Sequence, residues 1–332
     1  MSGGPRAWVL NLDAEHELAA AGGRYAPTQH VRALVEREQR RLLGRLVAPH
    51  DVVLAEDAGA GDERARGLPG FAWSPTPRAL ARLTAAGARP IAAPPIDVLR
   101  AVNARSFAAV VRAPLAESSF AKHGAATFDE ALALLARRAP DGWLVRRTFG
   151  AAGRGRRRIA AGAPGAAERA WLASSLRRGP LLIEPWVRVT REYTRSAFVS
   201  PDGRVLISPP CLQATTPEGA WTRTERAESG TVSRVDDARL EEAVAAAGTA
   251  LAQAGYFGPF GIDAYRHEVP GRGRAREVLN PLSEINARFT MDWVTGMGAR
   301  SDVLETLDTV SHTRALPADR SVPHKQAAPR GA

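Results

Sequence analysis

Two segments near the C-terminal end constrain the fold of this chain more than any other feature. Residues 258–266 read Gly-Pro-Phe-Gly-Ile-Asp-Ala-Tyr-Arg, and residues 284–288 read Glu-Ile-Asn-Ala-Arg. Both patterns predict β-strands, and because side chains alternate with a period of two, Glu284 and Asn286 share one face of their strand. A hairpin that turns through the glycines between the two segments would bring Asp263 beside them.

The oxygen-bearing side chains of this predicted hairpin favour a metal site. Mg²⁺ prefers oxygen ligands and usually shares them with phosphates. We therefore predict that Asp263, Glu284 and Asn286 bind Mg²⁺, with Arg288 two residues beyond the asparagine on the same face. The competing interpretation is a solvated sheet edge, which is the usual setting of a lone acidic residue.

Length and composition predict a globular protein of two or three units. The chain has 332 residues, 45% of them hydrophobic, which is typical of soluble domains. No apolar run approaches the roughly 18 residues of a membrane span, and the N-terminal apolar run is too short for a signal peptide. Cys211 is the only cysteine, so no intrachain disulfide can form and a reducing compartment fits. We expect a cytoplasmic protein without a membrane partner.

The formal net charge of +10 invites the hypothesis of a nucleic-acid partner. Only two residues are lysine, Lys122 and Lys325, so nearly all of the positive charge is arginine. Arginine is spread along the whole chain and accompanies heavy use of Ala, Gly and Pro, a pattern typical of GC-rich coding. Because no basic stripe stands out, the composition does not favour nucleic-acid binding.

Strands and helices alternate over residues 1–95, which predicts an N-terminal α/β domain with a parallel sheet. The pattern predicts strands at 7–12, 51–54 and 91–92 and helices at 29–46 and 77–86. Pro77 suits the first turn of its helix, and Gly87 suits the end. Pro94 and Pro95 mark the boundary of the domain.

Two further units and a tail follow. Residues 96–180 contain a helix with a capping box at Thr127, and residues 181–311 contain the predicted metal hairpin. The other predicted elements are strands at 143–147, 156–160, 181–187, 191–199 and 204–208 and helices at 166–177 and 236–254. Residues 312–332 combine Pro and charge with little apolar content, which predicts a loose tail.

A glycine-rich segment, Gly150-Ala-Ala-Gly153-Arg154-Gly155, lies between two predicted strands. Glycine lets backbone N–H groups approach phosphate oxygens closely, and the neighbouring arginines add positive charge. The segment is not a Walker A loop, which requires Lys followed by Ser or Thr, and it is not a Rossmann fingerprint, because a strand follows it. It predicts a phosphate-binding loop, with an ordinary surface hairpin as the alternative.

Together these motifs resemble the ATP-grasp superfamily, which includes D-alanine–D-alanine ligase and carbamoyl phosphate synthetase. The resemblance covers about residues 95–300 and is strongest in two places. These are Glu184-Pro-Trp-Val and the pair Phe260-Gly-Ile-Asp with Glu284-Ile-Asn-Ala-Arg. The resemblance implies an α/β chain with an ATP-grasp fold of α+β lobes, preceded by a Rossmann-like domain over residues 1–95.

The same resemblance implies ATP as a cofactor, together with Mg²⁺ or Mn²⁺. Glu184, Trp186 and Val187 match the hinge that holds adenine between the lobes, and Glu192 matches the acid that binds ribose. The flap over the triphosphate is matched by Gly150, Gly153, Arg154 and Gly155. The metal ligands of the family are matched by Asp263, Glu284 and Asn286, with Glu284 bridging two ions.

Two arginines match catalytic positions of the family. Arg288 matches a position near the transferred phosphate or the substrate, and Arg146 matches a lysine that contacts the nucleotide. The second match is a departure, because arginine keeps the charge without the compact ammonium geometry; Arg147 is the alternative by a one-residue shift. A second such lysine lies upstream in the family, and its place is open between Asn103, Arg105 and Lys122.

The implied activity is that of an ATP-dependent carboxylate–amine ligase, which forms an amide through an acyl phosphate and releases ADP. Its partners would be small-molecule or peptide carboxylate and amine substrates, and related ligases are often homodimers. Two alternatives are a nucleotide-binding protein without ligase activity and a phosphotransferase on the same fold. The arginine at position 146 is the main argument for the first alternative.

Overall fold

The computed structural model describes most of the chain, and the described residues carry three β-sheets with helices packed on them. The described residues are 4–20, 25–56, 61–115, 124–150, 153–216, 221–269, 275–298 and 303–309. Lys122, the predicted hairpin turn at 270–274 and the predicted tail at 312–332 lie outside them. Within these ranges, no helix has both the length and the apolar character of a membrane span.

A parallel sheet of four strands forms the N-terminal part. Its elements are β1 (Ala7–Val9), α1 (Ala14–Ala19), α2 (Gln29–Gln39), β2 (Val52–Val53), β3 (Pro69–Ala72), α3 (Pro77–Ala85) and β4 (Arg89–Pro90). The strand order is β2-β1-β3-β4, so the predicted parallel α/β layer is present. Its assignment as a Rossmann-like domain stays a prediction, as do the domain boundaries at 95, 180 and 311.

Some local predictions in this part were wrong. The predicted helix at 29–46 ends at Gln39, because Gly44 has φ +72° and the chain turns there while it buries Leu42 and Leu46. The predicted strand at 91–92 lies instead at Arg89–Pro90. Strand β3 was not predicted, because it has only four residues and these include a proline and a glycine.

Four helices and a small antiparallel sheet form the middle part of the described chain. Its elements are α4 (Ile96–Asn103), α5 (Arg105–Arg112), β5 (Gly124–Ala125), α6 (Phe128–Leu135), β6 (Trp143–Arg147), β7 (Arg156–Ile159), α7 (Ala166–Leu176) and β8 (Leu181–Pro185). The strand order is β5-β8-β6-β7, and α6 and α7 pack on this sheet. The predicted capping box is confirmed, since the Thr127 hydroxyl accepts from the Glu130 N–H at 3.2 Å and the Glu130 carboxylate accepts from the Thr127 N–H at 3.2 Å.

An antiparallel sheet of six strands forms the C-terminal part. Its elements are β9 (Val189–Val199), β10 (Val205–Ile207), β11 (Cys211–Thr215), β12 (Trp221–Arg226), α8 (Arg234–Gln253), β13 (Gly258–Val269), β14 (Arg276–Asn286) and α9 (Trp293–Met297). The strand order is β12-β11-β9-β13-β14, with β10 also paired to β9. Helix α8 begins after Ser233, whose hydroxyl accepts from the Asp236 N–H at 3.1 Å, and it packs on the sheet through Ala247 and Leu251.

An aromatic cluster joins the parallel sheet to the segment after β14. Trp8 stacks on Phe71 with ring centroids 5.2 Å apart, and it meets the edge of Phe289 at 5.5 Å. Phe289 in turn contacts Trp293 at 5.2 Å. All four side chains are buried, and burial of each ring stabilises the fold by roughly 1.5–3 kcal/mol. The N-terminal sheet is therefore packed directly against the end of the predicted metal hairpin.

Candidate active site

A cleft of about 1750 Å³ separates the small antiparallel sheet from the six-stranded sheet. Strands β6 and β8 contribute to one wall, and β9, β13 and β14 contribute to the other. The glycine-rich loop between β6 and β7 also lines the cleft. All predicted site residues except Gly155 line it, namely Arg146, Gly150, Gly153, Arg154, Glu184, Trp186, Val187, Glu192, Asp263, Glu284, Asn286 and Arg288.

The predicted hairpin brings its acidic side chains together. Asp263 of β13 pairs directly with Glu284 of β14, and Gly261 pairs with Asn286. Directly paired side chains on one face of an antiparallel sheet lie within contact distance. The amide nitrogen Nδ2 of Asn286 donates to Oδ2 of Asp263 at 3.1 Å. We call the three side chains Asp263, Glu284 and Asn286 the acidic patch.

The electrostatics of the acidic patch favour a bound cation. Burial raises the pKa of Asp263 well above its ordinary range, and the charges of Glu284 and Asp292 raise it further. Two carboxylates and an amide match the oxygen donors that Mg²⁺ prefers. In this structure the Asn286 oxygen accepts from Arg288 at 3.1 Å, and the described residues contain no group of three or more His, Cys, Asp or Glu side chains that could hold a metal ion. The two carboxylates and the one amide of the acidic patch are therefore suitable oxygen ligands for Mg²⁺.

Two arginines, one from α5 and one from β6, reach the acidic patch. Nη2 of Arg105, from α5, lies 3.2 Å from Oε1 of Glu284, and Nη1 of Arg146, from β6, lies 3.8 Å from Oε2. Arg105 also donates to the backbone carbonyls of Arg147 at 3.3 Å and Gly150 at 3.2 Å. The same guanidinium therefore connects the acidic patch with the start of the glycine-rich loop.

Glu184 is enclosed by two arginines. Its carboxylate forms ion pairs with Arg112 of α5 and Arg146 of β6, and all three side chains are buried. Burial opposes ionisation of Glu184, but the two guanidinium groups hold its pKa below the usual range. Glu184 therefore fixes the positions of the two cations beside the cleft. We call Glu184, Arg112 and Arg146 the buried triad.

Arg112 was not predicted as part of the site, because an arginine in a helix usually lies on the surface. The sequence nevertheless holds a signal. Arg105 and Arg112 are seven residues apart in α5, and a spacing of two helical turns puts both on one face of a helix. Had helix α5 been predicted, this face would have placed two cations on the same side.

The upstream candidates for a nucleotide contact have different surroundings. Asn103 uses its amide within the fold, because Nδ2 donates to the Leu99 carbonyl at 2.9 Å and Oδ1 accepts from the Ala287 N–H at 2.9 Å. Arg105 lines the cleft, and Lys122 lies outside the described residues. Of these three residues, Arg105 is the one with a described position beside the acidic patch.

Arg147, the alternative to Arg146, points away from the acidic patch. Its Nε donates to the Ser175 hydroxyl at 2.9 Å, and its guanidinium lies 5.3 Å from the ring centroid of Trp171. Both partners belong to α7, on the outer side of the small sheet. The alternation of side chains along β6 therefore separates the two arginines, as the sequence pattern predicts.

The glycine-rich loop folds tightly at both of its ends. A Cβ atom at Gly150 would lie 2.5 Å from the carbonyl oxygen of Arg154, so no other residue fits there without a backbone shift. Gly155 has φ +72°, a left-handed conformation that favours glycine. The Arg147 N–H donates to the Gly155 carbonyl at 2.8 Å and closes the loop. Residues 151 and 152 lie outside the described residues.

The segment between β8 and β9 borders the other end of the cleft. The Trp186 N–H donates to the Gly142 carbonyl at 2.8 Å, and the guanidinium of Arg158 lies 4.6 Å from the indole centroid. Glu192 accepts from the Thr215 hydroxyl at 2.7 Å, and burial raises its pKa. These contacts give the predicted adenine and ribose region fixed aromatic and acidic surfaces.

Arg288 is tied to the N-terminal part of the chain. Its guanidinium forms an ion pair with Glu15, donates to the Asn286 oxygen at 3.1 Å and lies 5.6 Å from the ring centroid of Trp73. The predicted catalytic arginine therefore bridges the acidic patch and the helix α1, which starts just after strand β1. No pattern in the sequence around Glu15 indicated this contact with Arg288.

Comparisons with known proteins bear on the fold. Neither the scan against protein-family models nor the search of curated proteins found a match. D-alanyl-alanine synthetase A from Vibrio cholerae aligns with a TM-score of 0.54 at 13% identity, over 95% of this chain and 100% of that chain. A biotin carboxylase from Campylobacter jejuni, in complex with β-γ-ATP, aligns with a TM-score of 0.53 at 15% identity, over 75% of this chain.

The two solved structures differ in how much of their own length is matched. This chain spans 55% of the biotin carboxylase but the full length of the synthetase. At such identities the likeness concerns the arrangement of the backbone. Both proteins are members of the ATP-grasp superfamily. The chain therefore has the ATP-grasp fold, as its sequence motifs predicted.

Proposed function

We propose that this protein is an ATP- and Mg²⁺-dependent ligase that joins a carboxylate to an amine, with ADP and phosphate as the other products. One observation carries the proposal: the acidic patch lies in the cleft beside Arg105 and Arg146, next to a glycine-rich loop. The fold likeness to a D-alanyl-alanine synthetase and to a biotin carboxylase in complex with β-γ-ATP supports ATP chemistry.

ATP would lie along the cleft from the β8–β9 segment to the acidic patch. Trp186 and Val187 would border adenine, and Glu192 would accept hydrogen bonds from ribose. The glycine-rich loop, with Arg154, would cover the triphosphate. Backbone N–H groups of such loops bind phosphate oxygens, and arginine binds them in a bidentate manner.

The divalent ion would be held by Asp263 and Glu284, with Asn286 contributing its amide oxygen. When bound, Mg²⁺ neutralises the β- and γ-phosphate oxygens and lowers the barrier to phosphoryl transfer. The two carboxylates fit this role because burial and their mutual repulsion raise the pKa of Asp263. Arg105 and Arg146, on the other side of Glu284, would then be available to the phosphates.

The reaction would proceed in two displacements. A carboxylate oxygen attacks the γ-phosphorus, the bond from that phosphorus to the β–γ bridging oxygen breaks, and ADP leaves. The amine nitrogen then attacks the acyl carbon, inorganic phosphate leaves with the bonding pair, and the nitrogen loses a proton. Arg146, Arg105 and Arg288 would stabilise the charge on the transferred group, and the loop would exclude water from the acyl phosphate.

The test is ATP turnover with pools of carboxylates and amines. We expect ADP rather than AMP, and amide products detected by mass spectrometry. Glu284→Gln should lower turnover by at least about a hundredfold while the free energy of unfolding falls by only about 1 kcal/mol, because it removes a charged ligand of the ion that would neutralise the phosphates. Glu277→Gln, on the exposed part of the same strand, is the matched control. Near wild-type ADP release by Glu284→Gln would reject the proposal.

The same assay separates the alternatives. A phosphorylated product without an amide would indicate a phosphotransferase. Nucleotide binding without ADP formation, with every carboxylate in the pool, would indicate a nucleotide-binding protein without ligase activity. After the second outcome, the first residue to examine would be Arg146, which stands where the ATP-grasp family usually has a lysine.

A further inference from the structure

One end of the cleft has an apolar wall. Helix α2 contributes Val31, Leu34 and Val35 besides the charged Arg37 and Glu38, and the neighbouring segments contribute Leu12 and Met291. The three apolar α2 side chains are half-buried, and no residue of the helix is fully buried. The helix therefore presents a partly exposed apolar face to the cavity that contains the acidic patch.

Helix α2 and the residues that follow it are anchored beside the segment after β14. Arg41, just beyond α2, places its guanidinium 4.8 Å from the ring centroid of Trp221 in β12. Nη2 of Arg45 donates to the Thr295 hydroxyl of α9 at 2.7 Å. Met291 packs against the same core cluster as Leu12. The apolar wall and residues 290–292 thus belong to one end of the cleft.

Two buried polar atoms in this end of the cleft have no hydrogen-bond partner among the residues that the structure describes. Asp292 is 4% exposed, and its Oδ2 accepts no hydrogen bond from the described residues. The Thr290 side chain is 9% exposed, and its hydroxyl is likewise without a partner among them. Both residues line the cleft. Asp292 precedes α9, but its side chain makes no capping hydrogen bond to that helix.

A buried carboxylate oxygen costs free energy unless a donor satisfies it. The nearest described arginine along the chain, Arg288, is already paired with Glu15 and Asn286. A primary ammonium group supplies three donors, enough for one carboxylate and one hydroxyl. A second metal ion fits less well, because it would need more oxygen ligands than Asp292 and Thr290 provide.

We propose that this end of the cleft is the subsite for the amine substrate, that Asp292 binds its ammonium group, and that an apolar substituent of the amine lies on α2. The proposal rests on the ligase function proposed above and names the class of its acceptor. Charge-assisted hydrogen bonds of this kind are short and strong, so Asp292 fixes the nitrogen near the acidic patch, where the acyl phosphate would form. The Asp292 carboxylate also accepts the proton that the ammonium must lose before its nitrogen attacks the acyl carbon. The wall of Val31, Leu34 and Val35 selects apolar amines over polar ones.

Direct binding tests the subsite without knowledge of the natural substrate. Phenethylamine, ethanolamine and phenethyl alcohol serve as probes in calorimetric titrations of the full chain with Mg²⁺ and a non-hydrolysable ATP analogue. We expect phenethylamine to bind about tenfold more tightly than ethanolamine or the alcohol. Asp292→Asn should weaken phenethylamine by about tenfold and leave the alcohol unchanged. Asp97→Asn, on the exposed side of α4, is the matched control.

A second variant keeps the test decisive if Asp292→Asn does not fold. Leu34→Asn changes a half-buried side chain of the apolar wall. We expect it to weaken phenethylamine by about fivefold or more and to leave ethanolamine unchanged, because only the apolar contact is lost. Equal binding of phenethylamine to the wild type and to both variants would overturn the proposal, and so would the absence of binding by any amine probe.

Hydroxylamine separates failure of the subsite from failure of the ligase. This small nucleophile traps acyl phosphates as hydroxamates, since its nitrogen attacks the acyl carbon and phosphate leaves, and it needs no apolar wall. Hydroxamate formation together with amine binding that is insensitive to Asp292→Asn would reject the subsite alone. Amine binding that depends on Asp292, without ADP or hydroxamate from any carboxylate, would support the amine site and reject the ligase.

Discussion

Two acidic sites share Arg146 and behave in opposite ways. In the buried triad, Glu184 lies between two guanidinium groups, which hold its pKa below the usual range against the effect of burial. In the acidic patch, burial and the charge of Glu284 raise the pKa of Asp263. Burial is common to both, so the sign of each pKa shift is set by the partners.

The difference shows which carboxylate is neutralised by partners within the chain and which carboxylates are suited to bind a ligand. Glu184 has its partners within the chain and forms part of the scaffold of the cleft. Asp263 and Glu284 repel each other across the β13–β14 pair, and a divalent cation would remove that repulsion. A site residue that the fold leaves electrostatically unfavourable is a candidate for ligand binding.

The largest expected effect is on stability. Glu184→Gln leaves two buried guanidinium groups without their carboxylate, and we expect it to lower the free energy of unfolding by about 3–5 kcal/mol. Glu284→Gln should cost only about 1 kcal/mol, because the Glu284 side chain is 25% exposed and Arg105 keeps its carbonyl partners. Urea unfolding of the two variants measures the contrast.

The pH dependence of the stability loss in Glu184→Gln is the control for this comparison of the two variants. Because the pKa of Glu184 is lowered in the folded state, its contribution is fully present above its unfolded pKa and is lost as the pH falls through the folded pKa. The stability deficit of Glu184→Gln should therefore shrink in acid. Equal losses in the two variants at neutral pH would remove the distinction between the triad and the patch.

The second expected effect concerns proton release at the acidic patch. The raised pKa of Asp263 means that the folded protein holds a proton there at a pH where an ordinary Asp has lost it. Mg²⁺ requires the carboxylate, so its affinity should rise with pH and its binding should release a proton. Calorimetric titration with Mg²⁺ in buffers of different ionisation enthalpy measures this release, and Asp263→Asn should abolish it. Affinity that is independent of pH would contradict the model of a strained acid pair.

The smallest expected effect lies at Arg105, which links the acidic patch to the glycine-rich loop. Arg105→Lys keeps the positive charge but loses the planar guanidinium group, whose N–H donors reach Glu284, Arg147 and Gly150. We expect trypsin to cleave after Arg154 roughly two- to tenfold faster, because the loop opens more often. Mass spectrometry identifies the cleaved bond, and the exposed Arg137→Lys serves as control. An unchanged rate would show that the loop is held by its own backbone alone.

The sequence predicted the elements with strong local periodicity. The alternation in residues 258–266 and 284–288 gave the β13–β14 hairpin, and the acidic first turn before residue 240 gave the long helix α8. These signals are local, since they depend on side-chain alternation and capping within one element. The three residues of the acidic patch could therefore be named before the structure was known, although their metal binding stays a prediction.

The sequence did not predict features that depend on distant partners. Arg112 and Arg105 of helix α5 are buried because Glu184 of β8 and Glu284 of β14 pair with them. Without such partners, an arginine is expected on the protein surface. Strand β12 carries five charged or hydroxyl side chains that hide its pairing with β11. Asp292 also went unnoticed, because a single acid after a strand carries no pattern. In each case the missing information was tertiary.

The ion pair between Glu15 and Arg288 spans almost the entire chain. It means that the first part of the protein and the segment after β14 cannot be exchanged independently. A chimera that takes its N-terminal sheet from a relative without an acid at this place would bury Arg288 beside Trp73 with no carboxylate. Recombination between such proteins would have to transfer both residues together, so this pair restricts which N-terminal parts the cleft can accept.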